Sequence, residues 1–421
     1  MLGILRHRRI NVRWFSAAED VFRGLDPALL CLDRLDEHKH PAKLGGVYGE
    51  RPGGYKTFCS KEKFHFKHGG IIPELRIAYE HWGALNENKS NVILLQTGAS
   101  ASTHAKSQPD NWNKGWWEEF IGPGSALDTN KYHVICTNVL GGCYGSTGPS
   151  SINPVTGMEY AMTFPLLTIE DMVNAQFLLL DNLGISKVHA TVGASLGGMQ
   201  SLMSAALYPE RVGRVVSISA CAQPCPTSIA FHYIQRHALM ADPKWNKGAY
   251  YRRSFPQTGM QLARELGMIT YRSGPEWDTR FGHKRQYPED SPSFCPDFAI
   301  EWYLDKKGGT FGDPNSFLYI SKAMDLFDMG CGHPSLLSGL SRIRCPVLVL
   351  GVWSDILFPV RQQRELAETL KKSGNEYTVY YELNSLYGHD TFLLDVHNVG
   401  AAVKGHLEST LTKPVDHYYD S

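Results

Sequence analysis

The stretch Val192-Gly193-Ala194-Ser195-Leu196-Gly197-Gly198-Met199-Gln200 narrows what this chain can become more than any other. Lys187 to Val192 has the apolar run of a strand. Leu196 to Tyr208, rich in Ala, Met and Leu and stopped by Pro209, has the composition of a helix. A strand that passes into a helix through Gly-x-Ser-x-Gly must turn so sharply that the serine backbone is strained and its neighbours are small. Such an elbow lifts the Ser195 hydroxyl above the edge of a sheet. It also points the Leu196 amide, first in the helix, to where an oxyanion would form.

The sheet this elbow requires is legible on both sides of it. Leu75-Arg76-Ile77-Ala78-Tyr79-Glu80 alternates like a half-buried strand, and Asn91 to Thr97 and Tyr132 to Asn138 are apolar throughout, like buried ones. Trp112, Trp116, Trp117 and Asp128 fall between the last two, where a loop and a helix are expected. Ile169 to Leu183 carries apolar residues at helical spacing before Gly184, a C-cap. After the elbow come strands at Arg214 to Ser219, Pro346 to Val352 and Tyr377 to Glu382, with a helix from Arg361 to Ser373 between the last two. Strands alternating with helices imply an α/β protein with a mostly parallel, doubly wound sheet. Between Cys221 and Ser341 the strands cease. Helical runs at Ser228–Met240, Thr258–Met268 and Ser316–Asp328 read as an insertion that covers the sheet's carboxyl edge. The expected division is a leader and arm over 1–64, a core over 65–220 and 342–421, and a helical lid over 221–341.

With 42 basic and 42 acidic side chains, the chain has no net charge that would draw it to nucleic acid or an anionic membrane. Nine cysteines lie scattered without a Cys-x-x-Cys pair or a Cys/His cluster at metal spacing, so neither a metal site nor a disulfide framework is expected. No apolar run approaches the roughly twenty residues of a membrane span. Four arginines and no acid precede Glu19, the composition of a mitochondrial transit segment; an ordinary basic terminus, leaving the protein cytoplasmic, is the alternative.

A serine hydroxyl needs a histidine base, and the imidazole needs a carboxylate to fix its tautomer and stabilise its cation. Asp355 stands in Trp353-Ser354-Asp355, just past the strand ending at Val352. His389 stands in Tyr387-Gly388-His389-Asp390, just past the last strand. Asp328, Asp325 and Asp313 rival Asp355 by type but fall in the lid. The loop after Leu95 occupies the position of a second oxyanion donor, for which Thr97 is the candidate, with Gln96 and Gly98 beside it. Gly141-Gly142-Cys143-Tyr144-Gly145 lacks the ending of a phosphate loop and reads as close-packed backbone lining a pocket.

Together the segments GGCYGSTGPSS (141–151), INPVTG (152–157), VGASLGGMQ (192–200), Asp355 with Leu357 and Phe358, and YGHDTFLL (387–394) resemble the homoserine O-acetyltransferase and serine O-acyltransferase family of α/β-hydrolase-fold enzymes. The likeness runs from about Gly70 to Leu394. It implies an α/β-hydrolase fold with a helical lid, a Ser195-Asp355-His389 triad, and ping-pong acyl transfer from acetyl-CoA or succinyl-CoA to an amino-acid hydroxyl. It implies no permanently bound cofactor. Arg236 resembles the family's arginine for the substrate carboxylate, and Asp390 the acid for its ammonium; a lid-surface arginine and a helix N-cap are the plainer readings. Homoserine-acetylating members carry Thr-Gly-Asp-x-His after the oxyanion strand. Here the segment reads Thr97-Gly98-Ala99-Ser100-Ala101-Ser102, which is more similar to the serine-acylating branch and marks Gly98, Ala99, Ser100 and Ala101 as a specificity loop. The expectation is therefore serine O-succinyl- or O-acetyltransfer feeding cysteine biosynthesis by a homodimer joined through lid helices. Homoserine acetylation for methionine biosynthesis, a serine esterase or thioesterase, and a non-catalytic binding protein are the alternatives.

Overall fold

Uninterrupted apolar runs become the strands of one eight-stranded sheet in the computed structural model, which describes residues 53–294, 296–308 and 312–410. In chain order the strands are β1 (Lys56–Ser60), β2 (Leu75–Trp82), β3 (Val92–Gln96), β4 (His133–Thr137), β5 (Ala190–Ala194), β6 (Val215–Ile218), β7 (Val347–Val352) and β8 (Thr378–Leu383). Their spatial order is β1-β2-β4-β3-β5-β6-β7-β8. The two junctions β1 with β2 and β2 with β4 are antiparallel, and all later ones are parallel. The helices are α1 (Ile169–Asn182), α2 (Leu196–Leu207), α3 (Pro226–Ala241), α4 (Gln257–Tyr271), α5 (Gly274–Arg280), α6 (Ala299–Lys307), α7 (Pro314–Asp325), α8 (Leu336–Leu340), α9 (Val360–Lys372), α10 (Thr391–Leu394) and α11 (Val396–Glu408).

Because side chains alternate across a strand, each inner strand feeds two cores. Val92 and Leu94 enter the one built with α1, α2 and α9, while Ile93 and Leu95 enter the one closed by α11 and Phe120. Burial on both faces is why these strands show no polar alternation. A capping box at Thr168 and Asp171 starts α1, and Gly184, at φ +67°, follows its end as expected.

Two expectations are corrected. The stretch taken as an arm contributes β1, whose exposed and half-buried residues hide the strand periodicity; the sheet therefore starts at Lys56. The crossover from β3 to β4 contains no α-helix. It is an irregular loop with one short 3-10 turn, Glu118–Phe120, filled by Trp117 stacked on Phe120 with centroids 4.5 Å apart. Its polar support is Glu80, buried in β2, which accepts from Thr103 Oγ1 (2.6 Å) and Gln108 Nε2 (2.5 Å) and pairs with His104 Nδ1 (3.0 Å). A loop so tied has its backbone satisfied without becoming a helix.

Between β6 and β7 the structure places α3, α4 and α7, which line the cavity beside Ser195, together with the shorter α5 and α6. The seven described cysteines are free thiols. Among the described residues no helix is long and apolar enough to cross a membrane, and no group of three or more His, Cys, Asp or Glu is placed to hold a metal ion. The basic leader lies outside the described residues.

Candidate active site

Ser195 sits between β5 and α2 with φ +57° and ψ −125°, a conformation side chains rarely adopt. Its amide donates to the Ile218 carbonyl at 2.9 Å. The flanking glycines are there because backbone presses on backbone. A Cβ on Gly193 would lie 2.3 Å from the Gly197 carbonyl carbon, and one on Gly197 would lie 2.5 Å from the Gln96 oxygen. The strain is carried by an elbow whose helix, α2, is buried along almost its whole length.

Asp355 follows β7 and has both carboxylate oxygens committed. Oδ1 accepts from the Leu357 and Phe358 amides, each at 2.9 Å, and Oδ2 meets His389 Nδ1 at 2.7 Å. With Nδ1 so engaged, Nε2 is the nitrogen left to take a proton. Burial pushes the His389 pKa down, but the charge and hydrogen bond of Asp355, with Asp390 adding to them, outweigh it and raise the pKa above the ordinary 6.5. Ser354 joins the two loops: its hydroxyl donates to the Ser385 carbonyl (2.6 Å) and accepts from the Gly388 amide (3.1 Å). Gly388 has φ +61°, and a Cβ there would strike the lid backbone at Arg272, 2.8 Å away. Phe358, Phe392 and Tyr271 ring the imidazole at 5.5, 5.6 and 6.3 Å between centroids.

Ser195 opens into a cavity of about 170 Å³. The floor comes from the sheet edge: Ala99, Ser100 and Ala101 of the expected specificity loop, and Gly142, Cys143 and Tyr144 of the glycine-rich segment, which lines the pocket as its sequence suggested. The roof is the lid, through His232 and Gln235 of α3, Arg264, Met268 and Tyr271 of α4, and Ser321 and Met324 of α7. Leu196 heads α2 next to Ser195. Gly98 itself is not part of the cavity wall.

Two other residues stand differently from their expectations. Thr97 is completely buried, turns its hydroxyl onto the Thr137 carbonyl (3.2 Å), and is absent from the wall. Arg236 is also absent from the wall. Its guanidinium is taken by Asp325 at 2.5 Å, with Ser321 Oγ at 3.3 Å, while the second Asp325 oxygen holds His232 Nδ1 at 2.8 Å. A guanidinium already matched by a buried carboxylate has little charge to offer a ligand. Arg236 is thus a strut between α3 and α7, and the arginine lining the cavity is Arg264 of α4, whose pKa burial lowers. Arg264 was not singled out from the sequence. The available signal was its place beside Ala263 on the face of an amphipathic helix that also buries Met260 and Gly267.

Asp390 lies next to His389 and pairs with Arg272 at 2.9 Å, and Arg272 also meets Glu276 at 2.9 Å. Burial raises the Asp390 pKa against the opposing pull of Arg272 and His389. Asp313, one of the rival acids, is the N-cap of α7 and accepts from the hydroxyls of Tyr250 and Tyr251.

Comparison with known proteins fits this geometry. The family described as alpha/beta hydrolase fold matches residues 91–396. The serine O-succinyltransferase of Emericella nidulans is 51% identical over 422 residues, covering 85% of this chain and 82% of its own. The homoserine O-acetyltransferase of Carboxydothermus hydrogenoformans is 43% identical over 347 residues, covering 81% of this chain and 91% of its own. The crystal structure of homoserine O-acetyltransferase from Bacillus anthracis superposes with a TM-score of 0.77 at 32% identity, covering 87% of this chain and all of that one.

Proposed function

The chain belongs to the family of serine O-succinyltransferases and homoserine O-acetyltransferases, acyltransferases on the α/β-hydrolase fold, and from that membership we propose that it moves a succinyl group from succinyl-CoA to the hydroxyl of L-serine through an ester on Ser195. The observation that carries the reading is the position of Ser195: a strained serine opening into a cavity roofed by lid helices, with a buried guanidinium, Arg264, in its wall.

In this mechanism Ser195 Oγ attacks the thioester carbonyl as His389 takes its proton, and Asp355 stabilises the imidazolium. The tetrahedral oxyanion is held by the Leu196 amide and a second amide from the loop after β3. It collapses by expelling the coenzyme A thiolate, which leaves with the proton from His389. L-Serine then enters, and its hydroxyl gives a proton to His389 and attacks the ester. As the second intermediate breaks down, the proton returns to Ser195 Oγ and O-succinylserine departs.

Arg264 suits the amino acid's carboxylate, because a guanidinium fork matches a carboxylate in geometry and charge. For its ammonium the family resemblance offers Asp390, which lies outside the cavity wall and would have to give up part of its pairing with Arg272. Water competes for the ester, and the aromatic and methionine side chains of the roof serve by excluding it. Serine and homoserine differ by one methylene, a difference worth about 1–3 kcal/mol in a pocket, so the small residues Ala99 and Ala101 in the wall weigh on that choice.

The test mixes purified protein with succinyl-CoA or acetyl-CoA, first without acceptor and then with L-serine or L-homoserine. Mass spectrometry is expected to find the succinyl increment on the peptide containing Ser195, and coenzyme A release is expected to depend on L-serine. No adduct, or full activity in Ser195→Ala, defeats the covalent route. Release that ignores the acceptor makes the protein a thioesterase, and preference for homoserine with acetyl-CoA makes it a homoserine acetyltransferase. Arg264→Met is expected to raise KM for serine at least tenfold.

A further inference from the structure

Beneath the elbow lies a cluster of buried amide side chains that the reaction scheme above leaves unused. Gln176 of α1 donates through Nε2 to Gln96 Oε1 at 2.6 Å and to Gln200 Oε1 at 2.9 Å. Gln200 of α2 donates through Nε2 to the Thr97 carbonyl at 3.0 Å. All three glutamines are at most 1% exposed. Burying polar amides costs free energy unless each is bonded, and apolar side chains of the same size would fill the space under a helix as well. What distinguishes these is where the last bond ends.

A trans peptide is planar, with N–H and C=O pointing opposite ways. Gln200 pulls the Thr97 oxygen inward, beneath α2, so the Gly98 N–H on the same peptide points outward. That is the side on which Ala99 and Ser195 line the cavity. The preceding peptide is set the other way. The Gln96 oxygen faces Gly197, whose added Cβ would lie 2.5 Å from it, so the Thr97 N–H turns from the elbow toward β4, where the Thr97 hydroxyl also bonds Thr137.

We propose that Gln200 is a positioning residue which, by holding the Thr97 carbonyl, turns the Gly98 amide away from α2 and toward the Ser195 side as the oxyanion donor opposite Leu196. Gln176 sets which way round the Gln200 amide lies: its donor occupies Gln200 Oε1, and Nε2 is thereby presented to Thr97. The two donors come from segments about a hundred residues apart in sequence, and Gln200 ties one to the helix that carries the other. The inference rests on the acyl-transfer reading only for the substrate the oxyanion comes from; any acyl ester attacked by Ser195 would use the same two amides.

The experiment replaces single backbone amides by esters. Glycolic acid in place of Gly98 deletes the Gly98 N–H, and the hydroxy-acid analogue of Thr97 deletes the Thr97 N–H. Turnover of a p-nitrophenyl acyl ester is measured alongside serine-dependent coenzyme A release. The ester at 98 is expected to lower kcat about 10²–10³-fold with KM little changed, the loss typical of one oxyanion donor, and the ester at 97 to stay within about threefold of wild type. Gln200→Met is expected to lower kcat by about tenfold or more with KM retained, and Gln176→Met to do the same more weakly. Wild-type kcat with the ester at 98, or the large loss appearing at 97 instead, overturns the assignment. A folded Gln200→Met protein with wild-type kcat overturns the positioning role; if that variant fails to fold, the ester at 98 still decides the donor and Gln176→Met the positioning. Loss of serine dependence with p-nitrophenyl turnover intact removes the acyl-transfer reading and leaves this comparison standing.

Discussion

Gly197→Ala is the smallest change that tests whether backbone contact at the elbow sets the active-site spacing. The added Cβ would lie 2.5 Å from the Gln96 oxygen and 3.1 Å from its carbon, where real contacts stay above 3.0 Å. Both obstacles are main chain of a strand buried on both faces, so neither can swing aside as a flexible side chain would. The start of α2 must therefore move from the tip of β3 by at least about 0.5 Å, the tolerance within which a catalytic constellation keeps its geometry. That motion separates the Leu196 amide from the loop facing it. A misplacement of about 1 Å costs on the order of 10²-fold in rate, so a loss of roughly 10- to 100-fold in kcat is expected, about 1.4–2.7 kcal/mol in the barrier. Overpacking should also remove about 1–3 kcal/mol of stability. The assay is steady-state coenzyme A release at saturating donor and acceptor, with thermal unfolding in parallel. A Gly197→Ala protein with wild-type kcat would refute the reasoning, because the contact would then have relaxed without moving the donors apart.

Other consequences can be measured directly. Asp355→Asn must keep an oxygen toward the Leu357 and Phe358 amides and so presents its NH2 to His389 Nδ1; the wrong tautomer results, and kcat is expected to fall by about 10⁴. With the His389 pKa raised above 6.5, kcat/KM should climb with pH along a single deprotonation whose apparent pKa lies above that value. The same coupling stabilises the fold below the unfolded imidazole value, and the increment is lost as pH rises through the folded one; a profile centred below 6.5 would contradict both. Glu80→Gln puts an amide where Thr103, His104 and Gln108 all meet a carboxylate, leaving at least one buried contact unmatched, and is expected to cost about 1–3 kcal/mol in urea unfolding, whereas an unchanged midpoint would mean that other contacts hold the β3–β4 loop. Light scattering is expected to give a homodimer, with Ile229, Tyr233, Ile234 and Met240 exposed along α3 as its seam; a monomer would count against the lid as an interface, and Tyr233→Glu should dissociate the dimer.

The elements that sequence reading located are those whose cause is local. Val92–Gln96 and Val347–Val352 are strands on either account because an unbroken apolar run of that length is itself the signature of burial on both faces. Lys56–Ser60 is not legible in the sequence, because an edge strand with exposed faces carries no such signature. Asp355 and His389 stand just past successive strand ends, a matter of chain order, and folding brings them to 2.7 Å.

What the sequence determined by itself is therefore the elbow, the order of the acid and base after it, and the family they imply, all encoded in short contiguous segments. Which arginine reaches the cavity was decided by tertiary structure alone. Arg236 is claimed by Asp325, 89 residues away, and Arg264 enters because its face of α4 packs over the sheet edge. The direction of the peptide after Thr97 is likewise a tertiary matter, since the Thr97 carbonyl is held by Gln200 from 103 residues away. The physical reason is that the charge a guanidinium has left to offer, and the direction an amide points, depend on partners brought close only by folding. Neither the type of residue nor its immediate neighbours contains that information.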